Sequence, residues 1–126
     1  MWCARWCRGG ESLLPPDHAK GDERTIGGYA AVHARPAAFE GKDGASYSVE
    51  LMVDATGEAE RPFGGFILFV QWKRYGAQGV DGHLESEFLA WGASRDEALS
   101  ALGAMALPAV QRVLDDLIRQ RREAER

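Results

Sequence analysis

Cysteine is scarce in this chain: Cys3 and Cys7 are the only two in 126 residues. A lone C-x3-C with no second pair matches neither a disulfide framework nor the usual spacing of a structural zinc site, so both thiols read as free in a reducing compartment. Long apolar runs are missing as well. Phe66 to Val70 is a strand-sized run, far short of a membrane-crossing helix, and Met1 to Gly10 lacks the continuous apolar centre of a secretion signal. The protein is therefore expected to be cytoplasmic, with no membrane association. A basic surplus is also absent, because 15 Lys and Arg face 19 Asp and Glu for a net charge of -4. General nucleic-acid binding needs a cationic surface that displaces counterions from phosphates, so that class is excluded. Finally, the chain has no Ser-His-Asp order, no Walker-type loop and no Gly-x-Gly-x-x-Gly fingerprint. Gly64-Gly65 leads into a strand instead of a helix N-terminus, so it aims no amides at a phosphate.

What is present is ordinary globular material. An apolar fraction of 45% with 27% charged residues supports one core in one domain without metal or disulfides. Arginine far outnumbers lysine, and Ala and Gly abound, the usage of a GC-rich bacterial genome. Residues 1–24 hold Gly9-Gly10, Pro15-Pro16 and a polar run from Asp17 to Arg24 with no period, and read as a flexible N-terminal arm. Residues 25–126 read as a single α+β domain. Within it, Tyr29 to Arg35 is a predicted first strand closed by Pro36. Ser46 to Asp54 alternates cleanly, with Tyr47, Val49, Leu51 and Val53 on one face. Gly65 to Lys73 is apolar on both sides, Phe66, Leu68, Val70 and Trp72 opposing Ile67, Phe69 and Gln71, as in a strand covered twice. His83 to Trp91 is the predicted fourth strand. Ser94 and Glu97 then form a capping box, opening a helix whose apolar stripe runs from Ala98 to Leu117 and is bent or broken near Leu107 by Pro108. Beyond Ile118 the helix is polar and solvated. The predicted fold is a four-stranded antiparallel meander with one long, kinked C-terminal helix on one face.

The chemistry-bearing groups are few. His83, Glu85 and Glu87 share one face of the fourth strand and could present an imidazole and two carboxylates to a metal, with His33 added if the first strand lay alongside. His33 and Arg35, near Glu40 and Asp43, could hold a small anionic ligand. For both sets the plainer reading is a solvated, ion-paired surface. Cys3, Cys7 and His18 could likewise chelate zinc, against the simpler reading of free thiols on a polar arm. No cofactor is implied.

The run Gly92-Ala93-Ser94-Arg95-Asp96-Glu97-Ala98-Leu99 resembles the G-x-[ST]-x-x-E-A start of the helix in HicB-like antitoxin domains, over roughly residues 47–118. That resemblance implies a small sheet-plus-helix unit that sequesters a partner protein. The family's Pro-Asp turn after the central strand is replaced here by Lys73 to Gly79, and no operator-binding segment is present among these residues. Together the absences and the surplus of large apolar residues predict a non-enzymatic protein-binding or oligomerisation module, a homodimer with Ile67, Phe69, Leu89, Trp91, Val110, Val113 and Leu117 at its interface. The alternative is a small-ligand or metal-binding domain, or an enzyme, built on His33, Arg35, His83, Glu85 and Glu87.

Overall fold

Helices begin where a side chain can replace the missing backbone partner, and two such positions frame this fold. The computed structural model describes residues 18–72 and 80–125. After a 3-10 turn at His18–Lys20 come α1 (Ile26–His33), β1 (Ala38–Glu40), β2 (Ser46–Ala55), β3 (Phe63–Trp72), β4 (Val80–Glu85), β5 (Ala90–Gly92), α2 (Arg95–Gly103) and α3 (Leu107–Ala124). The sheet is antiparallel in the order β1-β2-β3-β4, with β5 also on β3. The architecture is the expected α+β class. Of the expected N-terminal arm, residues 18–24 include this turn and the approach to α1, and residues 1–17 lie outside the described residues.

The segment expected as a first strand, Tyr29 to Arg35, is instead most of α1. Thr25 caps it by accepting the Gly28 amide at 3.0 Å, and Ala34 ends it in the left-handed region at φ 55. Gly27-Gly28 disguises this helix, since glycine disfavours helical conformations by about 1 kcal/mol relative to alanine. Packing supplies the reason for at least one of them. A methyl on Gly27 would come within 2.9 Å of the Gly103 Cα, so α1 and α2 meet backbone to backbone.

The expected fourth strand is also two strands, β4 and β5, separated by residues 86–89. Ser86 causes the interruption: its Oγ accepts the Ile67 amide at 2.9 Å and donates to the Glu87 carbonyl at 2.8 Å, standing in for a ladder bond. The irregular stretch re-aims the side chains after it. Leu89 packs on the core, while Phe88 meets Phe66 edge-to-face with ring centroids 6.0 Å apart.

Pro108 breaks the C-terminal helix as expected, and the structure shows how the break is accommodated. α2 stops at Gly103, and Pro108 sits in the first turn of α3, where it loses no intrahelical bond. The freed groups pair with the segment before α1: the Ile26 amide donates to the Met105 carbonyl at 2.8 Å and the Leu107 amide to the Arg24 carbonyl at 2.9 Å. Thr25 and Ala106 form an isolated bridge. Ile26, Leu102, Val110, Leu114 and Ile118 from the helices then bury themselves against Tyr47, Val49, Ile67 and Phe69 from the sheet, each large side chain contributing roughly 1.5–3 kcal/mol.

Two substitutions test these joints by urea denaturation. Gly27→Val is expected to cost about 2–3 kcal/mol, because backbone on the facing helix cannot rotate away from the added methyls. Ser94→Ala, which removes the acceptor of the Glu97 amide at 3.1 Å, is expected to cost about 1 kcal/mol.

Candidate functional site

Strand register decides which side chains remain available. Val49 pairs with Phe69 and Leu51 with Ile67, so these residues share the face beneath the helices. Glu50 pairs with Leu68, Met52 with Phe66, Ser48 with Val70 and Ser46 with Trp72, so these share the other. None of Met52, Phe66, Leu68, Val70, Trp72, Phe88 or Trp91 belongs to the core cluster. Phe66, Leu68 and Val70 are half-buried, whereas Met52 and Trp72 are 38% and 39% exposed. Along the centre of the sheet this open face therefore bears a continuous apolar row.

Polar side chains hold the row in place and edge it. The Trp72 indole donates to Ser48 Oγ at 2.9 Å, pinning the ring across the neighbouring strand. Glu50 and Glu85 flank Leu68 in one cross-strand row. At the far end, Arg61 lies over the Trp91 ring at 4.4 Å, a cation–π contact.

The interface side chains expected from the sequence fall mostly elsewhere. Ile67, Phe69 and Val110 are fully enclosed in the core of the single chain, and Leu89, Val113 and Leu117 pack against that core. Trp91 alone of that set lies on the open face, opposite Gly64. Alternation separated the two sides of β3, and the side expected at the interface, Ile67 and Phe69, is the buried one. A signal was present in the row Phe66, Leu68, Val70, Trp72; what was missing was the register that assigns it a side.

The expected ligand set does not converge. His83 and Glu85 stand on β4 opposite Val70 and Leu68, and Glu87 lies beyond the end of that strand. His33 closes α1, with Nε2 3.0 Å from Glu23 Oε1, while His18 Nδ1 lies 2.7 Å from the other oxygen. The His33 hydrogen bond holds the Glu23 carboxyl below its ordinary range. Tyr29 stacks on His33 at 4.3 Å, and the Arg35 guanidinium lies 5.9 Å from the Tyr29 ring. Among the described residues no group of three His, Cys, Asp or Glu is placed to hold a metal ion. Cys3 and Cys7 lie outside the described residues. No described helix is long and apolar enough to cross a membrane.

A polar cluster that sequence reasoning missed ties α3 to the sheet. Tyr47, fully enclosed, donates its hydroxyl to Asp43 Oδ2 at 2.7 Å. Arg121 donates to Asp43 at 3.0 Å, to the Tyr47 oxygen at 3.2 Å and to Gln71 Oε1 at 3.1 Å. These bonds join the loop before β2, both central strands and α3, as a structural tie does. Comparisons with protein-family models, curated proteins and solved structures returned no match.

The tie has a pH signature. Burial pushes the Asp43 carboxyl up, but the Tyr47 hydroxyl, the Ala45 amide and the Arg121 charge outweigh it and hold the group below its ordinary value. A depressed folded-state value gives stability that is present above the unfolded-chain value and is lost as pH falls through the folded one. Urea midpoints measured from pH 6 downward are expected to fall below about pH 4, with Asp43→Asn less stable at pH 6 and showing a flatter acid limb.

Proposed function

We propose that this domain is a non-enzymatic binding module that works as a homodimer, two copies packing the open faces of their sheets together. The observation that carries the proposal is the row Phe66, Leu68, Val70 and Trp72 with Met52 beside it, on which no layer of the described residues packs and of which Met52 and Trp72 are more than a third exposed. An apolar sheet face is normally covered by a second layer, and packed sheets stack about 10 Å apart with interdigitating side chains. A second copy offers the matching layer. Strands about 33 Å long at about 4.8 Å spacing make this face on the order of 500 Å² in projection, comparable with the roughly 800 Å² of accessible surface that a standard interface buries per partner. Glu50 and Glu85 border the row as the polar rim of such an interface. The HicB-like character of the Gly92 to Ala98 junction belongs to the same proposal, since it too describes a domain that acts by holding a protein.

Sedimentation equilibrium tests it. The wild-type chain is expected to be a dimer with a Kd of about 10 µM or tighter, and Leu68→Glu, which sets a charge in the centre of the row, is expected to be a folded monomer. A wild-type chain that stays monomeric at about 100 µM overturns the proposal.

A further inference from the structure

Over half its length β2 is an edge of the sheet. β1 pairs with it only at Ser46, Tyr47 and Ser48. Farther along, its outer side carries no strand among the described residues. The direction of its backbone groups follows from β3. Ile67 and Gly65, the register partners of Leu51 and Val53, turn their carbonyls the other way to accept the Ser86 and Leu89 amides. Those are non-hydrogen-bonded pairs of an antiparallel ladder, so Leu51 and Val53 direct their N–H and C=O groups outward. One described group meets this edge: Arg95 Nη1 donates to the Val53 carbonyl at 3.2 Å.

Beside the edge lies an open groove. The Leu51 side chain shares a groove of about 710 Å³ with Gly28 and Ala31 of α1 and Leu99 and Gly103 of α2. Leu99 is 41% exposed, and glycine and alanine on the facing helix leave its side unfilled. Lys20 and Asp96 also line the groove, one charge of each sign, and Glu50 and Asp54 stand on the neighbouring positions of β2.

We propose that the β2 edge and this groove together bind an extended segment of a partner protein. The segment joins the sheet beside Leu51 and Val53 and sets one leucine-sized side chain between α1 and α2, with lysine or arginine at the alternate positions. Each feature specifies part of that occupant. Outward backbone groups two residues apart call for another strand, since main-chain bonds supply affinity in strand addition while pockets for alternate side chains supply specificity. The groove's apolar walls call for an aliphatic side chain, and its volume lies in the range of pre-formed pockets. Glu50 and Asp54, on the other side of β2 from Leu51 and Val53, call for cationic residues at the alternate positions, because opposite charges across a strand pair stabilise and like charges do the reverse. Arg95 covers the Val53 carbonyl until the segment displaces it. The backbone edge and the groove lie away from the apolar row, and Glu50 borders both.

The test uses a fluorescein-labelled eight-residue peptide alternating valine or leucine with lysine. One twin carries aspartate at the central leucine, and another is N-methylated at alternate amides. Fluorescence anisotropy is expected to give saturable binding at about 10–100 µM for the first peptide and at least about tenfold weaker binding for both twins. Hydrogen exchange is expected to slow at the Leu51 and Val53 amides when the first peptide is bound. Leu99→Glu is expected to weaken binding at least about tenfold, and Arg119→Ala on the exposed side of α3 to leave it unchanged. Absence of saturable binding up to about 1 mM, or equal binding of the N-methylated twin, overturns the proposal. Protection of those two amides that grows with protein concentration in the absence of peptide assigns the edge to a second copy, and equally overturns it.

Discussion

The ten-pair register between β2 and β3 is the constraint on which the rest of the molecule depends. It sets Tyr47, Val49 and Leu51 beside Gln71, Phe69 and Ile67, so that two strands present one apolar surface to the described helices. A slip by one residue would place Glu50 and Ser48 beneath the helices, where carboxylates and hydroxyls would lose water without gaining partners. Gly65 contributes at the same level. A methyl there would lie 3.2 Å from the Leu102 Cβ, tighter than ordinary contact, and its absence lets α2 settle close on β3.

The helical layer is closed by exchanges between distant parts of the chain. Pro108 forces α2 to stop, and the carbonyl and amide freed by that stop are taken up around Arg24 to Ile26. The break is thus also the anchor of α1. At the other end of the layer, Arg121 returns to Asp43, Tyr47 and Gln71, joining the last turns of α3 to the loop before β2. Both ends of the layer are held by hydrogen bonds, and the apolar stripe of α3 fills the space between them. That arrangement consumes Val110, Leu114 and Ile118 completely, which is why the second half of the helix covers its own sheet.

With the three described helices on one face, two surfaces are left incompletely covered by the described residues, and these are where binding is proposed. The open face offers apolar side chains with a charged border. The β2 edge offers backbone groups beside an apolar groove. They are different in kind, one suited to a second sheet and the other to a single strand: β1 is only three residues long, too short to protect β2, and among the described residues no layer lies on the far side of β3.

Local chemistry made much of this legible in the sequence. Alternation located β2 and β3, the Ser94 and Glu97 capping box started α2, and Pro108 divided the C-terminal helix, because each of these signals acts within a few residues. Three features were decided elsewhere. The helix at Ile26–His33 overrides a glycine pair because Gly27 must approach Gly103, a residue far along the chain. The division of β4 from β5 depends on Ser86 meeting the Ile67 amide across the sheet. The identity of the buried side of β3 depends on register, which pairs residues across a loop and carries no signature in either strand alone. The sequence by itself determined an antiparallel α+β domain, the start of α2 and the division of the C-terminal helix at Pro108. Only the tertiary structure decided that Ile67 and Phe69 are core while Leu68 and Trp72 face outward, because alternation defines two faces and packing alone chooses between them.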